Sequence, residues 1–173
     1  MFDANSLVAA TTDFVRANQS WAPVLVFLLA FGESISLVSF FIPATVLLLA
    51  IGALAEASGL PLAPIWLAAT MGAILGDTLS YWIGFRYKDQ ARGFWPLSRH
   101  PDLVARAESF FHRFGVWSVA IGRFFGPIRA VVPLIAGILA MRQIPFQVAN
   151  ILSAALWAFA MLAPGAAVLK MFG

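Results

Sequence analysis

The sequence predicts an all-α, polytopic membrane protein in which transmembrane helices are combined with bent segments. Among its 173 residues, 61% are hydrophobic and 11% are charged, and the mean hydropathy is +0.88. Soluble domains carry about 25% charged residues, so this chain is suited to lipid rather than water. Four long regions are strongly apolar, namely residues 21–55, 65–85, 115–141 and 144–169. One of them holds two arginines and two prolines, which is typical of a protein-lined bend at membrane depth.

The composition also excludes several kinds of protein. The formal net charge is only +3, and no basic run or aromatic–basic stripe of the nucleic-acid-binding kind occurs. The absence of cysteine excludes disulfides, thiolate metal sites and cysteine nucleophiles. No Walker loop, G-x-S-x-G, H-E-x-x-H or paired-carboxylate hydrolase pattern is present, so we expect no enzyme, cofactor or metal site. The length suits a single membrane domain over residues 1–173.

The N-terminal part combines a polar start with a long apolar region. Residues 1–20 lack the basic start of a cleavable signal peptide and predict an amphipathic interfacial helix, although a loose tail fits equally. Residues 21–55 hold one charge, Glu33. An unbroken helix of this length would run about 52 Å, against a hydrocarbon core of about 30 Å. The region must therefore bend, at Gly32 or Pro43, and it crosses once, crosses twice, or crosses and returns.

The middle and the end of the chain predict ordinary spans around a polar segment. Residues 65–85 have the length of one transmembrane helix and hold one charge, Asp77. Residues 86–114 carry six of the eleven basic residues, so the positive-inside rule places this segment in the cytoplasm. Its second half, residues 101–114, predicts an amphipathic helix on the inner membrane surface. Residues 144–169 are free of charge and predict the C-terminal transmembrane helix.

Residues 115–141 contain Arg123 and Arg129 in an otherwise uncharged stretch. An arginine at the bilayer centre costs roughly 2.5–3.5 kcal/mol, so such residues line a cavity or find partners. On a continuous helix the two side chains would point about 240° apart. A turn at Gly126 and Pro127 would bring them together, and guanidinium groups bind phosphate oxygens in a bidentate manner. We therefore predict that these two arginines bind the phosphate of a substrate.

Two intramembrane carboxylates are candidates for the same site. Asp77 adjoins the helix face of Gly72 and Gly76, whose spacing lets another backbone approach, and Tyr81 lies one turn further along. A carboxylate at this depth either pairs with a cation or carries a proton. Glu33 and Asp77 are therefore either structural partners of the two arginines or groups that couple transport to protons.

A weak internal correspondence relates the first and third apolar regions. Glu33 precedes Pro43 by ten positions, and Arg123 precedes Pro133 by ten. Chance can produce this spacing. Alternatively, the two regions are opposed helical hairpins, one acidic and one basic, as in inverted-repeat transporters with broken helices.

Three motifs in this order resemble the DedA family, also called SNARE-associated or VTT-domain membrane proteins. FGESISLVSFFIP matches the first motif of that family. GAILGDTLSYWIG is similar to its Gly-x-x-x-Gly-Asp motif, which is followed by an aromatic residue and Gly. RFFGPIRAVVPLIAG is similar to its pattern of Arg-Phe, Pro, a second Arg and a later Ala-Gly. The resemblance covers roughly residues 20–165 and is specific because all three motifs occur in order.

The resemblance implies a multi-pass protein of the bacterial inner membrane with two opposed re-entrant hairpins. Members of the family are implicated in moving lipids between leaflets, notably in recycling undecaprenyl phosphate, with dependence on the proton-motive force. Glu33, Arg123 and Arg129 match functionally required residues of the family. Many members have Pro-Gly-Asp or Pro-Gly-Glu where Pro43-Ala44-Thr45 stands here, so that carboxylate is missing and Thr45 offers a hydroxyl to a phosphate instead.

From the arginine pair and the resemblance together, we predict a transporter that translocates an anionic lipid between leaflets. Its partners would be membrane lipids, above all polyprenyl phosphate, and a homo-oligomer is one option for its assembly. Two other functions fit the same residues. One is transport of a small oxyanion through the same cavity, and the other is a non-transporting scaffold for envelope assembly whose charges only pair with each other.

Overall fold

The computed structural model describes residues 19–35, 44–57, 60–88, 90, 93, 97–99, 101–125, 129 and 131–172. The predicted N-terminal helix falls almost wholly outside these residues. Pro43, Pro127 and the Thr45 side chain also lie outside them, so their predicted auxiliary roles stay predictions.

Within the described residues the chain is entirely helical, with seven α-helices, two short 3₁₀ helices and no β-strand. The α-helices are α1 (Ala22–Ser34), α2 (Ala44–Ala57), α3 (Leu62–Tyr87), α4 (Pro101–Phe114), α5 (Trp117–Gly122), α6 (Val132–Ile138) and α7 (Gln143–Phe172). The 3₁₀ helices are Gln19–Trp21 and Leu97–Arg99. The all-α prediction is confirmed for this part of the chain.

Two of the described helices are long and apolar enough to cross a membrane. They are Leu62–Tyr87, which is α3, and Gln143–Ala163, which is the larger part of α7. Both coincide with regions for which the sequence predicted single spans. Large apolar side chains cover the outward faces of both helices, including Leu67, Met71 and Leu75 on α3 and Leu152, Leu156 and Phe159 on α7. Contiguous apolar faces of this kind are suited to hydrocarbon.

The two bent regions are each divided into shorter helices. The first becomes α1, with 13 residues, and α2, with 14 residues. Each is about 20 Å long, less than the hydrocarbon core of about 30 Å. The second becomes α5, with six residues, and α6, with seven. Both regions are therefore interrupted, as predicted. The first is not broken at Gly32, which lies within α1, and Pro43 lies outside the described residues. Re-entry of either region toward its starting side stays a prediction.

Proline marks the start of several helices. Proline lies in the first turn of α1 and of α6, where the missing N–H would have had no intrahelical partner. Pro61 likewise precedes α3 and Pro101 begins α4. These prolines therefore define where helices begin after a change of chain direction. Pro133, expected to bend the third apolar region, lies in the first turn of α6 and is buried.

The core consists of two apolar clusters stacked along α3 and α7. The first cluster joins α1 and α2 to residues near Ala69 on α3 and Ala158 on α7. The second joins α4, α5 and α6 to Tyr81 on α3 and Phe146 on α7. Polar side chains of α3 and α7 lie between the two clusters. The fold thus places a polar layer inside an otherwise apolar bundle.

Glycine allows α1 to approach α3 closely. A Cβ atom added at Gly76 would lie 2.6 Å from the carbonyl oxygen of Phe31 and 2.7 Å from the Cβ of Ser34, and Gly72 is similarly close to Phe27. The close approach predicted from the spacing of these two glycines is present in the structure. Because Glu33 lies between Phe31 and Ser34, this contact also sets the position of that carboxylate relative to Asp77.

We expect Gly76→Ala to destabilise the protein, because neither the carbonyl of Phe31 nor Ser34 can move without shifting α1. Overpacking of this kind costs about 1–3 kcal/mol. The melting temperature in detergent, followed by tryptophan fluorescence, measures the effect. Leu75→Ala is the control. It changes a large side chain of the same helix, but because Leu75 is 47% exposed this substitution should leave the melting temperature almost unchanged. Equal melting temperatures for wild type and Gly76→Ala would contradict this account of the α1–α3 contact.

Candidate functional site

Arg123 lies in the polar layer between the two core clusters. It directly follows α5 and is only 5% exposed. Its Nη2 atom donates to the carboxylate of Asp77 on α3 and, at 2.6 Å, to Oδ1 of Asn150 on α7. Its Nε atom donates to Oγ of Ser153 at 3.1 Å. The guanidinium group is therefore held by two transmembrane helices at once.

Arg129 forms the second ion pair of the layer. Its Nη1 atom donates to Oε1 of Glu33 at 2.7 Å, and Glu33 is the penultimate residue of α1. The guanidinium carbon also lies 4.2 Å from the centre of the Trp157 ring on α7, a cation–π contact. The Arg129 side chain is 16% exposed and that of Glu33 8%. This pair thus ties α1 and α7 to the segment between α5 and α6.

The backbone after α5 explains how two arginines six positions apart reach the same place. The N–H groups of Phe124 and Phe125 donate to carbonyls three residues earlier, so the helix tightens into a 3₁₀-type turn at its end. The N–H of Arg129 then donates to the carbonyl of Phe125 at 3.2 Å. The regular α-helix therefore ends at Gly122, directly before Arg123. The predicted turn at Gly126 and Pro127 itself lies outside the described residues.

Both arginines line one very small cavity, about 10 Å³ in volume, together with Asp77, Val119, Val132 and Pro133. Nη1 of Arg123 and Nη2 of Arg129 are buried and find no hydrogen-bond partner among the described residues. Buried donors of this kind are nearly always satisfied, by protein, water or a ligand. The cavity therefore presents two cationic groups with unused N–H donors, the arrangement that binds an oxyanion.

The four charges of the layer balance. Each arginine is paired with one carboxylate, so the buried charges sum to zero. Desolvating a charge in hydrocarbon is costly, and pairing with good hydrogen-bond geometry offsets that cost. The sequence left open which carboxylate would meet which arginine. The structure pairs Asp77 with Arg123 and Glu33 with Arg129.

Gly76 and Tyr81, two further predicted residues that the structure describes, do not line this cavity. Gly76 contacts α1 through its backbone, as described above. The Tyr81 hydroxyl donates to the carbonyl of Met141, and its ring stacks on Phe146 at 4.3 Å between centroids. Tyr81 therefore holds the connection between α6 and α7 and does not line the arginine cavity. Its predicted auxiliary role would have to act through that packing.

Two further polar residues of α7 take part in the site. From the sequence alone, Asn150 and Trp157 are predicted to pack or to form interhelical hydrogen bonds, and nothing singles out Ser153. Asn150 is fully buried, and its Nδ2 atom donates to the carbonyl of Ile74 at 3.2 Å, which fixes its amide so that Oδ1 faces Arg123. The signal was available in the spacing: positions 150, 153 and 157 share one face of a span without charge.

The site has the character of an anion site. Among the described residues no group of three or more histidine, cysteine, aspartate or glutamate side chains could hold a metal ion. The donors that remain are guanidinium N–H groups, which bind carboxylate or phosphate oxygens and do not take part in redox or hydrolytic chemistry by themselves. By their chemistry these donors can bind an anion.

The chain is similar to a known protein family and to several known membrane proteins. The family model of the VTT domain matches residues 42–167. Inner membrane protein YabI of Escherichia coli (strain K12) is 33% identical over 144 residues, covering 83% of this chain and 57% of that protein. Undecaprenyl phosphate transporter A of Staphylococcus aureus is 26% identical over 140 residues, covering 76% of this chain and 68% of that protein. The alignment with YabI thus takes in less than two thirds of that protein's length. No solved structure matches.

We expect Asp77→Asn to lower stability by about 3–5 kcal/mol, because it leaves the buried Arg123 guanidinium without a counter-charge. Replacing both partners, as Asp77→Asn with Arg123→Met, should recover much of the loss. Thermal denaturation in detergent measures both. Asp102→Asn on the exposed face of α4 is the matched control and should behave as wild type. Arg123→Met is also measured alone. If the stability losses of Asp77→Asn and Arg123→Met simply add in the double variant, the two side chains do not form a coupled buried pair.

Proposed function

The chain belongs to the VTT-domain family, also called the DedA family, and on this basis we propose that it is a transporter that moves an anionic lipid phosphate between membrane leaflets. The substrate we favour is undecaprenyl phosphate in the bacterial inner membrane, as the name of the Staphylococcus aureus relative suggests. Because the curated relatives named above extend beyond this chain, the substrate of the whole protein is part of the proposal.

One observation supports this function above the others: two guanidinium groups that line one cavity each have a buried nitrogen without a hydrogen-bond partner among the described residues. Moving a bare phosphate through hydrocarbon is prohibitive, since an ion there loses its hydration. A cavity that supplies two positive charges and several N–H donors replaces that hydration. The transport step then costs much less than the uncatalysed passage.

The size of the cavity also indicates which part of the lipid would enter the protein. With room for about 10 Å³, roughly one water molecule, the cavity would admit a phosphate group only after an ion pair opens and the cavity widens, and a polyprenyl chain would stay outside. The head group would therefore enter the protein while the chain stays in the bilayer. Val119, Val132 and Pro133 provide the apolar part of the lining.

The two carboxylates would control access to the arginines. In the empty protein Asp77 and Glu33 pair with Arg123 and Arg129. Protonation of a carboxylate would weaken its pair and release the guanidinium for a phosphate. Entry of protons from the side of high proton concentration would then favour phosphate binding on that side. Coupling to the proton-motive force follows from this exchange of partners.

Transport of a small oxyanion is the second candidate function. The small size of the cavity favours it, because an inorganic anion needs no lateral opening for a chain. A scaffold without transport is favoured only by the balanced pairing of the four charges, which a bound phosphate would disturb. The cytoplasmic placement of residues 86–114, the re-entrant hairpins and a homo-oligomeric assembly belong to the same proposal as its topology.

We expect Arg123→Ala and Arg129→Ala each to slow leaflet exchange of a labelled polyprenyl phosphate in proteoliposomes. Loss of charge-assisted hydrogen bonds should reduce the rate roughly 10- to 100-fold. Arg129→Lys keeps the charge but loses the bidentate fork, so its exchange rate should lie between those of wild type and Arg129→Ala. Arg106→Ala on the exposed face of α4 is the control and should exchange lipid at the wild-type rate. Wild-type rates in both alanine variants, with folding confirmed by melting temperature, would refute the proposed function.

Glu33→Gln tests the coupling to protons, because glutamine resembles the protonated carboxyl group and cannot ionise. We expect exchange by this variant to continue but to lose its response to an imposed pH gradient. Rates measured in the same proteoliposomes with and without a gradient give the answer. A gradient response equal to that of wild type would exclude Glu33 from the coupling.

A further inference from the structure

A larger groove lies outside the arginine cavity, between the last turns of α3 and the connection from α6 to α7. Its volume is about 570 Å³. Thr78 and Trp82 contribute to one wall, and Arg142 and Ile144 to the other. Trp82 is 57% exposed and Ile144 75%, so both walls extend to the outer surface of the bundle. Among the described residues that line the groove, Arg142 carries the only charge.

A chain of hydrogen bonds connects this groove to the buried site. Nε2 of Gln147 donates to Oγ1 of Thr78 at 3.0 Å. Nδ2 of Asn150 donates to Oε1 of Gln147 at 3.5 Å, and Oδ1 of Asn150 accepts from Nη2 of Arg123 at 2.6 Å. Three polar side chains therefore lead from the groove to the guanidinium group that faces the cavity.

These polar groups are unexpected on ordinary packing grounds. Gln147 and Asn150 lie one turn apart on a span whose neighbouring face carries the exposed apolar residues Val148 and Ile151. Interhelical hydrogen bonds in membranes contribute only about 0.6–2 kcal/mol each. One such bond would suffice to fix the contact of α3 with α7. A continuous series that ends at a buried cation indicates a path for a polar group.

We propose that this groove is the lateral port through which the lipid phosphate reaches Arg123, an inference that rests on the transport function proposed above. The head group meets Arg142 at the mouth and then exchanges hydrogen bonds with Thr78, Gln147 and Asn150 in turn. The hydrocarbon chain lies outside, against Trp82 and Ile144. The positive charge of Arg142 at the mouth complements a phosphate, and the apolar outer wall suits a hydrocarbon chain. The groove therefore fits a phosphorylated lipid, which has both.

Site-directed labelling tests the port, because the chain has no cysteine and each introduced thiol is unique. A bulky maleimide attached to Ile144→Cys should reduce exchange of labelled polyprenyl phosphate roughly tenfold relative to the same variant before labelling, by excluding the head group from polar partners. Leu28→Cys is the control: Leu28 is 55% exposed on α1, outside the groove, and labelling it should leave exchange unchanged.

A second variant separates a path from a structural contact. Gln147→Met keeps the volume and removes the hydrogen bonds, and exchange should fall roughly tenfold while the melting temperature changes little. Ile151→Ala on the exposed face of α7 should retain the wild-type rate. A fall in melting temperature that accounts for the whole loss of exchange would assign Gln147 to helix packing and overturn its place in the path.

The outcomes also distinguish failure of the port from failure of the proposed function. Unchanged exchange after labelling Ile144→Cys, with exchange still lost in Arg123→Ala, would overturn the port alone. Unchanged exchange in both arginine variants would overturn the transport function and the port with it. If labelling blocks uptake of inorganic phosphate and leaves lipid exchange unaffected, the groove serves a free anion, and the lipid port is overturned.

Discussion

A charge buried in hydrocarbon must be neutralised by the protein, and the structure is arranged around that requirement. Arg123 is held by Asp77, Asn150 and Ser153 from two transmembrane helices, and Arg129 is held by Glu33 and the ring of Trp157. These contacts join α1, α3 and α7 at one level of the bundle. The apolar clusters above and below the layer exclude other polar groups, which strengthens the pairs.

Short helices and close backbone contacts make this layer possible. The 3₁₀-type turn after α5 interrupts the helix, and irregular backbone of this kind is tolerated in a membrane only inside protein or beside a cavity. Gly76 lets α1 lie directly on α3, which brings the end of α1, with Glu33, beside the arginines. A bundle of uninterrupted helices would place Arg123 and Arg129 on different faces. The breaks are therefore part of the site and not merely a consequence of length.

Paired charges with unused donors describe a site that exchanges partners. Fully satisfied pairs would only stabilise the bundle, and unpaired arginines would be too costly at this depth. Here each guanidinium has one nitrogen in an ion pair and another that is buried without a hydrogen-bond partner among the described residues. In the proposed function a phosphate would engage these donors first and displace the carboxylate afterwards. In the proposed port, the hydroxyl and amide groups beside α3 would offer the head group successive hydrogen-bond partners.

The sequence by itself determined that the chain suits a membrane and which charged residues lie within its apolar regions. Hydropathy identified the spans of α3 and α7, length alone required a bend within residues 21–55, and the scarcity of charge singled out Arg123, Arg129, Glu33 and Asp77. Only the tertiary structure decided the pairing, which joins residues 46 and 96 positions apart, the entry of Ser153 into the site and the turning of Tyr81 toward Met141. Periodicity reports which face of one helix is polar. Which face of another helix meets it depends on the packing of the whole bundle, and no local pattern encodes that.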